Sequence, residues 1–415
     1  MALAAAHPGR AFELPTGTRL SIRLTTRVSS RASRPGERVG AVLIAPVEVG
    51  GRLVMPAGNA VRGTVRDVKK QHGRASLTLD FSEIVVDDGV GLPMDARVTA
   101  IEDSRESVTE DGRIVGVRPM RRLPTPLLAF AMVLADVQPL VMGAFAAARL
   151  VLRALQHAAI DYPPGVELTL ALEAPLEIEE PAPMVPLPVA DAALSDFVQG
   201  LPFRTQSAKH HTDSDVTNLL FVGSQAQVAE AFAGAGWTRA RSMSVRARLR
   251  GLVALVTKRG YKTAAVSRHE LESRPPDLVF QKQNNTLAKR HHVRIWKYPE
   301  GPGGETVWVG AATHDVAIVF DRSHHAFTHR IDPRIDVERT KIVHDLQHTG
   351  QVGAVFLVDR DDAPSLADGA EGPVMETDGR MAVVVLGPPS AVFVPPAMPS
   401  AEARFAPDRN TSRYE

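Results

Sequence analysis

The sequence predicts an α+β protein: an N-terminal β-barrel-like domain with a helical insert, followed by a mixed α+β domain. Three observations predict it. The first 105 residues hold five period-2 or fully apolar runs set between Gly and Pro turns. A long apolar stretch of helical character then interrupts that pattern, and from residue 191 strand-like and helix-like segments are mixed. At 415 residues the chain has room for two or three domains, each with its own core.

The strands expected in the first domain, residues 12–175, are Arg19–Thr25, Val39–Val47, Ala60–Val68, Ala75–Ile84 and Met94–Ile101. A short repeat punctuates them. Leu14-Pro15-Thr16-Gly17-Thr18, Met55-Pro56-Ala57-Gly58-Asn59 and Tyr162-Pro163-Pro164-Gly165-Val166 each place P-x-G directly before a strand. Pro presets φ for a turn and Gly takes the positive-φ position after it. The third copy follows the helical insert, about 124–158, and leads into Glu167–Leu172, so the chain is expected to return to the same β domain. Pro175, Pro181, Pro183, Pro186 and Pro188 mark residues 176–190 as a stiff, extended linker.

The second domain is expected over residues 191–360. Strands are expected at 218–222, 252–257, 292–297, 306–311, 316–320 and 353–358. Ser224–Gly234 reads as a helix with a Ser cap and a Gly stop, and Ile335–His348 as a second helix. Residues 361–415 read as a mostly extended acidic tail, apart from the apolar run Met381–Leu386.

Composition excludes several classes. No cysteine means no disulfide, thiolate metal site or Cys nucleophile. An aromatic content of 5% argues against stacking platforms for single-stranded nucleic acid, which makes a nucleic-acid partner an unfavoured reading. The net charge of +1 names no partner, but it hides a basic block at Arg239–Lys262 and an acidic C-terminal stretch. The block reads as a solvated face or as a surface for an anion. The apolar stretch Leu123–Leu152 is broken at Asp136–Gln138 and falls short of the ~20 uninterrupted residues of a bilayer span. No transmembrane segment is therefore expected. Met1–Ala6 reads as a short tail or as the small-residue end of a secretory leader. The first places the protein in the cytoplasm, the second in the periplasm or cell envelope.

Histidine is concentrated: eight of 14 lie between His291 and His348. In Arg290-His291-His292-Val293-Arg294-Ile295-Trp296-Lys297, strand alternation puts Arg290, His292, Arg294 and Trp296 on one face and His291 and Lys297 on the other. Two guanidiniums flanking an imidazole suit a phosphate or carboxylate. The stretch 308–339 adds Thr313, His314, Asp315, His329, Asp332, Asp336, Glu338 and Arg339. An enzymatic reading makes His292 or His329 the general base or nucleophile. Asp315 would orient the imidazole, and Arg290, Arg294 and Arg339 would hold phosphate oxygens. A metal reading takes His292, Asp315, His329 and Asp336 or Glu338 as N/O ligands of a divalent ion. Two further readings are a non-catalytic anion pocket and a buried ion-pair network, which resembles a site on paper. His344-Asp345-Leu346-Gln347-His348 mimics a zinc-protease helix, but Asp is too short for that chemistry and no third ligand follows. It is better explained as a helix's polar face.

Two resemblances add to this. Asn218–Ser224, Ala235–Trp237, Phe280–Gln283, residues 290–297, Trp308–Asp315 and Thr328–Arg339 together resemble the LssY C-terminal domain family. That resemblance implies a domain found in bacteria alone or fused to membrane modules, including acid-phosphatase-like ones. The phosphatase signature itself is missing here, so its chemistry does not carry over. Residues 14–26 and 54–68 resemble the β-barrel module of TrbI-like type IV secretion proteins, which implies an envelope context. The expected function is therefore an envelope-associated protein whose C-terminal domain binds, and as a phosphoester hydrolase would cleave, a phosphate-bearing or other anionic compound. The expected partner is an anionic small molecule or lipid headgroup, with a divalent metal as candidate cofactor. The alternative is a non-catalytic structural or adhesive envelope module.

Overall fold

The computed structural model describes residues 11–49, 52–71, 74–86, 89–117, 159–179, 187–208, 212–240, 269–286, 288–321, 326–361 and 375–388. Six strands form the ring of the first domain: β1 Arg19–Leu24, β2 Arg38–Leu43, β3 Ala60–Gln71, β4 Arg74–Val85, β5 Gly91–Ile101 and β6 Glu167–Leu172. Each pairs antiparallel with its sequence neighbour, and β6 pairs with β1, closing a six-stranded barrel. Closure leaves no open edge in the ring. The return of the chain to the β domain is thus realised by β6. Alternation fills the interior: Leu20, Ile22 and Leu24 meet Leu77, Leu79 and Phe81, with Leu168, Leu170 and Leu172 from the closing strand. Gly17, Gly58 and Gly165 of the three P-x-G turns take φ of +86°, +107° and +97°, the region where a side chain is strained.

Outside the ring, Ala11–Leu14 pairs antiparallel with Leu176–Glu179. The segment expected as linker from 176 therefore begins as a strand. The reason is local: Leu176 and Ile178 alternate with polar neighbours and bury at 3% and 7% exposure, whereas the dense prolines start only at Pro181. The expected helical insert at 124–158, the proline-rich 180–186 and the expected strand at 252–257 lie outside the described residues.

The second domain is a mixed sheet with helices on both faces. Its elements are α1 Ala192–Gln199, β7 Asp213–Val222, α2 Gln225–Gly234, β8 Leu278–Lys282, β9 Arg290–Tyr298, β10 Val307–Asp321, β11 Ala326–Ile331, α3 Ile335–Gln347, β12 Val352–Asp359 and β13 Arg380–Leu386. The main path runs β8-β9-β10-β7-β13-β12, with β7 and β13 parallel. The two strands expected at 306–311 and 316–320 are one 15-residue strand, β10; its first half pairs with β7 and its far half with β11. The domain does not end at 360. The run Met381–Leu386 lies beside β7 inside the sheet, and Met381, Ala382, Val383 and Val384 are fully buried. A continuous apolar strand of that kind needs cover on both faces, which a tail could not give it.

Alternation along β7 splits the core. Leu219 and Phe221 face α2 and α3, packing with Phe232, Ile342, Val343 and Leu346. Leu220 faces the other way, with Trp296 and Val198 of α1. Ser224 caps α2 through a capping box with Gln227, fixing its start. Among the described residues no helix is long and apolar enough to cross a membrane.

Candidate functional site

Strand β9 carries two polar clusters, one on each face, and its register with β10 sets both. Arg290 lies opposite Asp315, His291 opposite His314 and His292 opposite Thr313. On the first face Arg290 donates to Asp315 Oδ2 at 2.8 Å, and His329 Nδ1 lies 3.2 Å from the same oxygen. His292 Nε2 is 3.5 Å from Asp315 Oδ1, and its Nδ1 bonds Thr313. Arg294 donates to Asp215, which also receives His269 Nδ1 at 3.0 Å. The structure thus brings Arg290, His292, Arg294, Asp315 and His329 together, but four of the five are at most 4% exposed and paired with one another or with Asp215 and Thr313. They do not line an open surface. Burial, with the nearby Arg294 and Arg290 charges, pushes the His292 pKa well below its usual value, so its ring is neutral.

Arg339, Asp336 and Glu338 are not part of that group. Arg339 on α3 donates to Asp336 at 3.1 Å and to Asp378 at 2.8 Å, tying the helix to the segment before β13. Glu338, one residue earlier and so about 100° around the helix, points to the opposite face of β9.

That second face meets the barrel. His291 and His314 stack with ring centroids 4.0 Å apart and 15° between planes. The loop leaving β5 brings Glu102 and Asp103 to their Nε2 atoms. His291 Nε2 lies 3.0 Å from Glu102 Oε1 and 3.6 Å from Asp103 Oδ2; His314 Nε2 lies 2.9 Å from Asp103 Oδ1 and 3.8 Å from Glu102 Oε1. His291 Nδ1 is held by Glu338 Oε2 at 2.6 Å. The loop is fixed from both ends. Glu102 N–H continues the β5–β6 pairing by donating to Glu167 O, and Asp103 turns the chain at φ 47°, a region Asp tolerates better than most residues. Asn284 donates to Glu102 O, and Asn285 exchanges bonds with Arg105 N–H and Glu106. Two carboxylate oxygens, Asp103 Oδ2 and Glu338 Oε1, are buried without a hydrogen bond.

The electrostatics here oppose burial. Burial works to raise the Glu102 pKa, but the His291 hydrogen bond and charge, helped by Lys341 and His314, hold it at about 2. Burial works to lower that of His291, and Glu338, Asp103 and Glu102 together raise it well above the usual value. These four ligand-type side chains, Glu102, Asp103, His291 and His314, form a group whose N and O atoms all lie within 4.8 Å of one another.

The cluster opens into a cleft of about 730 Å³ between the barrel and α3, lined among others by Arg19, Glu167, Arg334, Lys341, His344 and Asp345. Its floor is a second charged network. Glu167 accepts from Arg23 at 2.8 Å, from Lys341 at 2.6 Å and from Lys282. Asp345 accepts from Trp237 Nε1 and Lys282 at 2.9 Å each. The three surrounding cations outweigh burial and keep Glu167 well below the usual carboxylate range. His344 Nε2 is buried with no partner, and burial lowers its pKa to about 4. Sequence reasoning put His291 on the far face and named His314 without a role. It missed Glu102, Asp103, Glu167, Lys282 and Lys341. The one available signal was that strand alternation separates His291 from His292.

Fold and site together define a two-domain protein in which a closed six-stranded barrel docks a carboxylate-bearing loop onto two histidines of a mixed sheet. Residues 198–381, which fall within the second domain, match the family model described as LssY C-terminus. No curated protein matches the chain. A solved structure, ComB10 of the Com type IV secretion system of Helicobacter pylori, aligns with 41% of this chain and 92% of its own at 13% identity and a TM-score of 0.24, a likeness too loose to transfer a function.

Proposed function

We propose that this is an envelope-associated binding protein whose interdomain cleft takes a phosphate-bearing or other anionic compound, a lipid headgroup or a free phosphoester. The observation that carries this reading is the cleft. Its ~730 Å³ lies in the range of small-molecule sites, and both domains line it with charged side chains. Arg19, Arg334 and Lys341 are the cations along its wall, and the neutral imidazole of His344 gives it a candidate proton acceptor. Arg290, His292, Arg294, Asp315, His329 and Arg339 then act behind the cleft, holding β9, β10 and α3 in register.

The test is thermal-shift titration of the full chain with phosphomonoesters and glycerophospholipid headgroups, read beside release of inorganic phosphate. Stabilisation that disappears in Lys341→Met supports the cleft. Phosphate release adds a hydrolase, and binding without release leaves a binding module. The absence of any shift would overturn the proposal in favour of a structural or adhesive module, a reading that the mutually paired Arg290–Asp315 cluster supports.

A further inference from the structure

The carboxylates of the cleft are not matched evenly. Glu167 and Asp345 are held by Arg23, Lys282 and Lys341, and Asp332 by Arg334, whereas Glu102 and Asp103 meet only His291 and His314. Near the cleft's inner end an anionic oxygen of Asp103, a residue only 4% exposed, is sealed from water without a hydrogen-bond donor. A buried charge in that condition calls for a cation. We propose that a divalent first-row metal ion, of the zinc or manganese kind, binds between Glu102, Asp103, His291 and His314.

Four features carry the inference. The first is convergence. Glu102 Oε1 lies 3.0 and 3.8 Å from the two Nε2 atoms, and Asp103 reaches them with its two oxygens at 2.9 and 3.6 Å, distances on either side of the roughly 3.3–3.6 Å edge of a tetrahedron built from metal–ligand bonds of about 2.0–2.2 Å. The second is orientation. Glu338 Oε2 accepts from His291 Nδ1 at 2.6 Å, which aims Nε2 at the carboxylates; the ion would take the place of the proton that Nε2 shares with Glu102. A carboxylate behind a histidine in this way is the outer-shell arrangement that fixes metal-bound imidazoles. The third is the donor set: two imidazoles and two carboxylates favour a borderline divalent ion over calcium or magnesium, which prefer oxygen alone. The fourth is charge, since two carboxylates and one divalent ion are neutral together.

The ligands also come in pairs from the two domains, Glu102 and Asp103 from the barrel, His291 and His314 from the sheet. The ion would therefore bind across the seam and hold the barrel against the LssY-type domain. The inference goes beyond the anionic ligand of the cleft and does not need it.

The test uses the full chain, stripped with chelator, and titrates Zn²⁺ alone by calorimetry with no phosphate compound present. One equivalent is expected to bind. Asp103→Asn and His314→Ala are each expected to weaken it at least tenfold, and Glu338→Gln by roughly 10–100-fold through the orientation of His291. Pulsed electron paramagnetic resonance of the Mn²⁺-loaded wild type is expected to show coordinated imidazole nitrogen, and it decides the matter should a variant fail to fold. Absence of binding, or affinity unchanged in all three variants, would overturn the proposal; unchanged affinity would place the ion at another histidine pair, such as His210-His211 or His324-His325. Zinc binding without any response to phosphoesters would keep the metal site and sink the anionic ligand instead.

Discussion

His291 and His292 are neighbours in sequence, yet one strand sends them to opposite environments. His292 enters a cluster inside the sheet domain in which Arg290 pairs with Asp315, Arg294 with Asp215, and His292 itself with Thr313. His291 enters a cluster completed by another domain, where two carboxylate oxygens stay unpaired beside a cavity. The chemical inventory is nearly the same on both faces. The difference lies in satisfaction. On the His292 face one ring nitrogen, His329 Nδ1, lacks a hydrogen bond, whereas on the His291 face two carboxylate oxygens do, and a buried carboxylate oxygen without a donor is the more costly case.

The largest expected effect lies on the His292 side. Asp315→Ala leaves Arg290 without its 2.8 Å partner in a sealed site, and should cost about 3–5 kcal/mol in urea unfolding. The zinc affinity of the folded protein should stay unchanged. Loss of zinc binding without loss of stability would reverse the two roles.

Next comes acidification. His344 titrates near 4 in the folded protein, because burial outweighs Asp345, against 6.5 for a free histidine. The unfolded chain thus binds a proton that the folded one refuses between pH 6.5 and 4. The stabilising contribution is full above pH 6.5 and is lost as pH falls through that window, on the order of 3 kcal/mol in all. His292, lowered in the same direction, adds to the fall. His344→Gln should flatten the profile of unfolding midpoint against pH; an unchanged slope would show that His344 does not carry it.

Trp237→Phe removes the indole donor to Asp345 Oδ2 at 2.9 Å while Lys282 and Arg23 remain on that carboxylate. A loss of about 1.5–3 kcal/mol by thermal unfolding is expected. The smallest effect should come from Arg62→Ala, which breaks a solvent-exposed pair with Glu83 on the barrel's outside. It should change stability by less than about 1 kcal/mol, and a larger loss would mean that exposed and buried pairs are not separable in this barrel.

Much of this was legible in the residues. The P-x-G turns announced the strands that follow them, and Glu167–Leu172 was correctly read as a return to the barrel. Alternation in 290–297 sorted the side chains onto the faces they occupy. What could not be read was contact at long range. Glu102 meets His291 from 189 positions away, and nothing in Glu102-Asp103 alone marks it as a docking loop. Arg339 was read as an anion-holding residue and Glu338 as a metal ligand beside His292, but the helix turns Arg339 to Asp378 and Glu338 to His291. The run Met381–Leu386 was recognised as apolar but assigned to a tail, since only the sheet shows the place between β7 and β12 that it fills.

The closing strand of the barrel has a consequence in time. Strand β5 ends at Ile101 and β6 begins at Glu167, so 65 residues (102–166) are made between them. At a synthesis rate of about 5–20 residues per second, that is roughly 3–13 s. Throughout that interval β1 to β5 can form only an open sheet, with the edges of β1 and β5 both unpaired. Exposed edges of this kind recruit other strands. The emerging chain therefore passes through an aggregation-prone stage whose length is set by this 65-residue segment, and shortening the segment would shorten the stage in proportion.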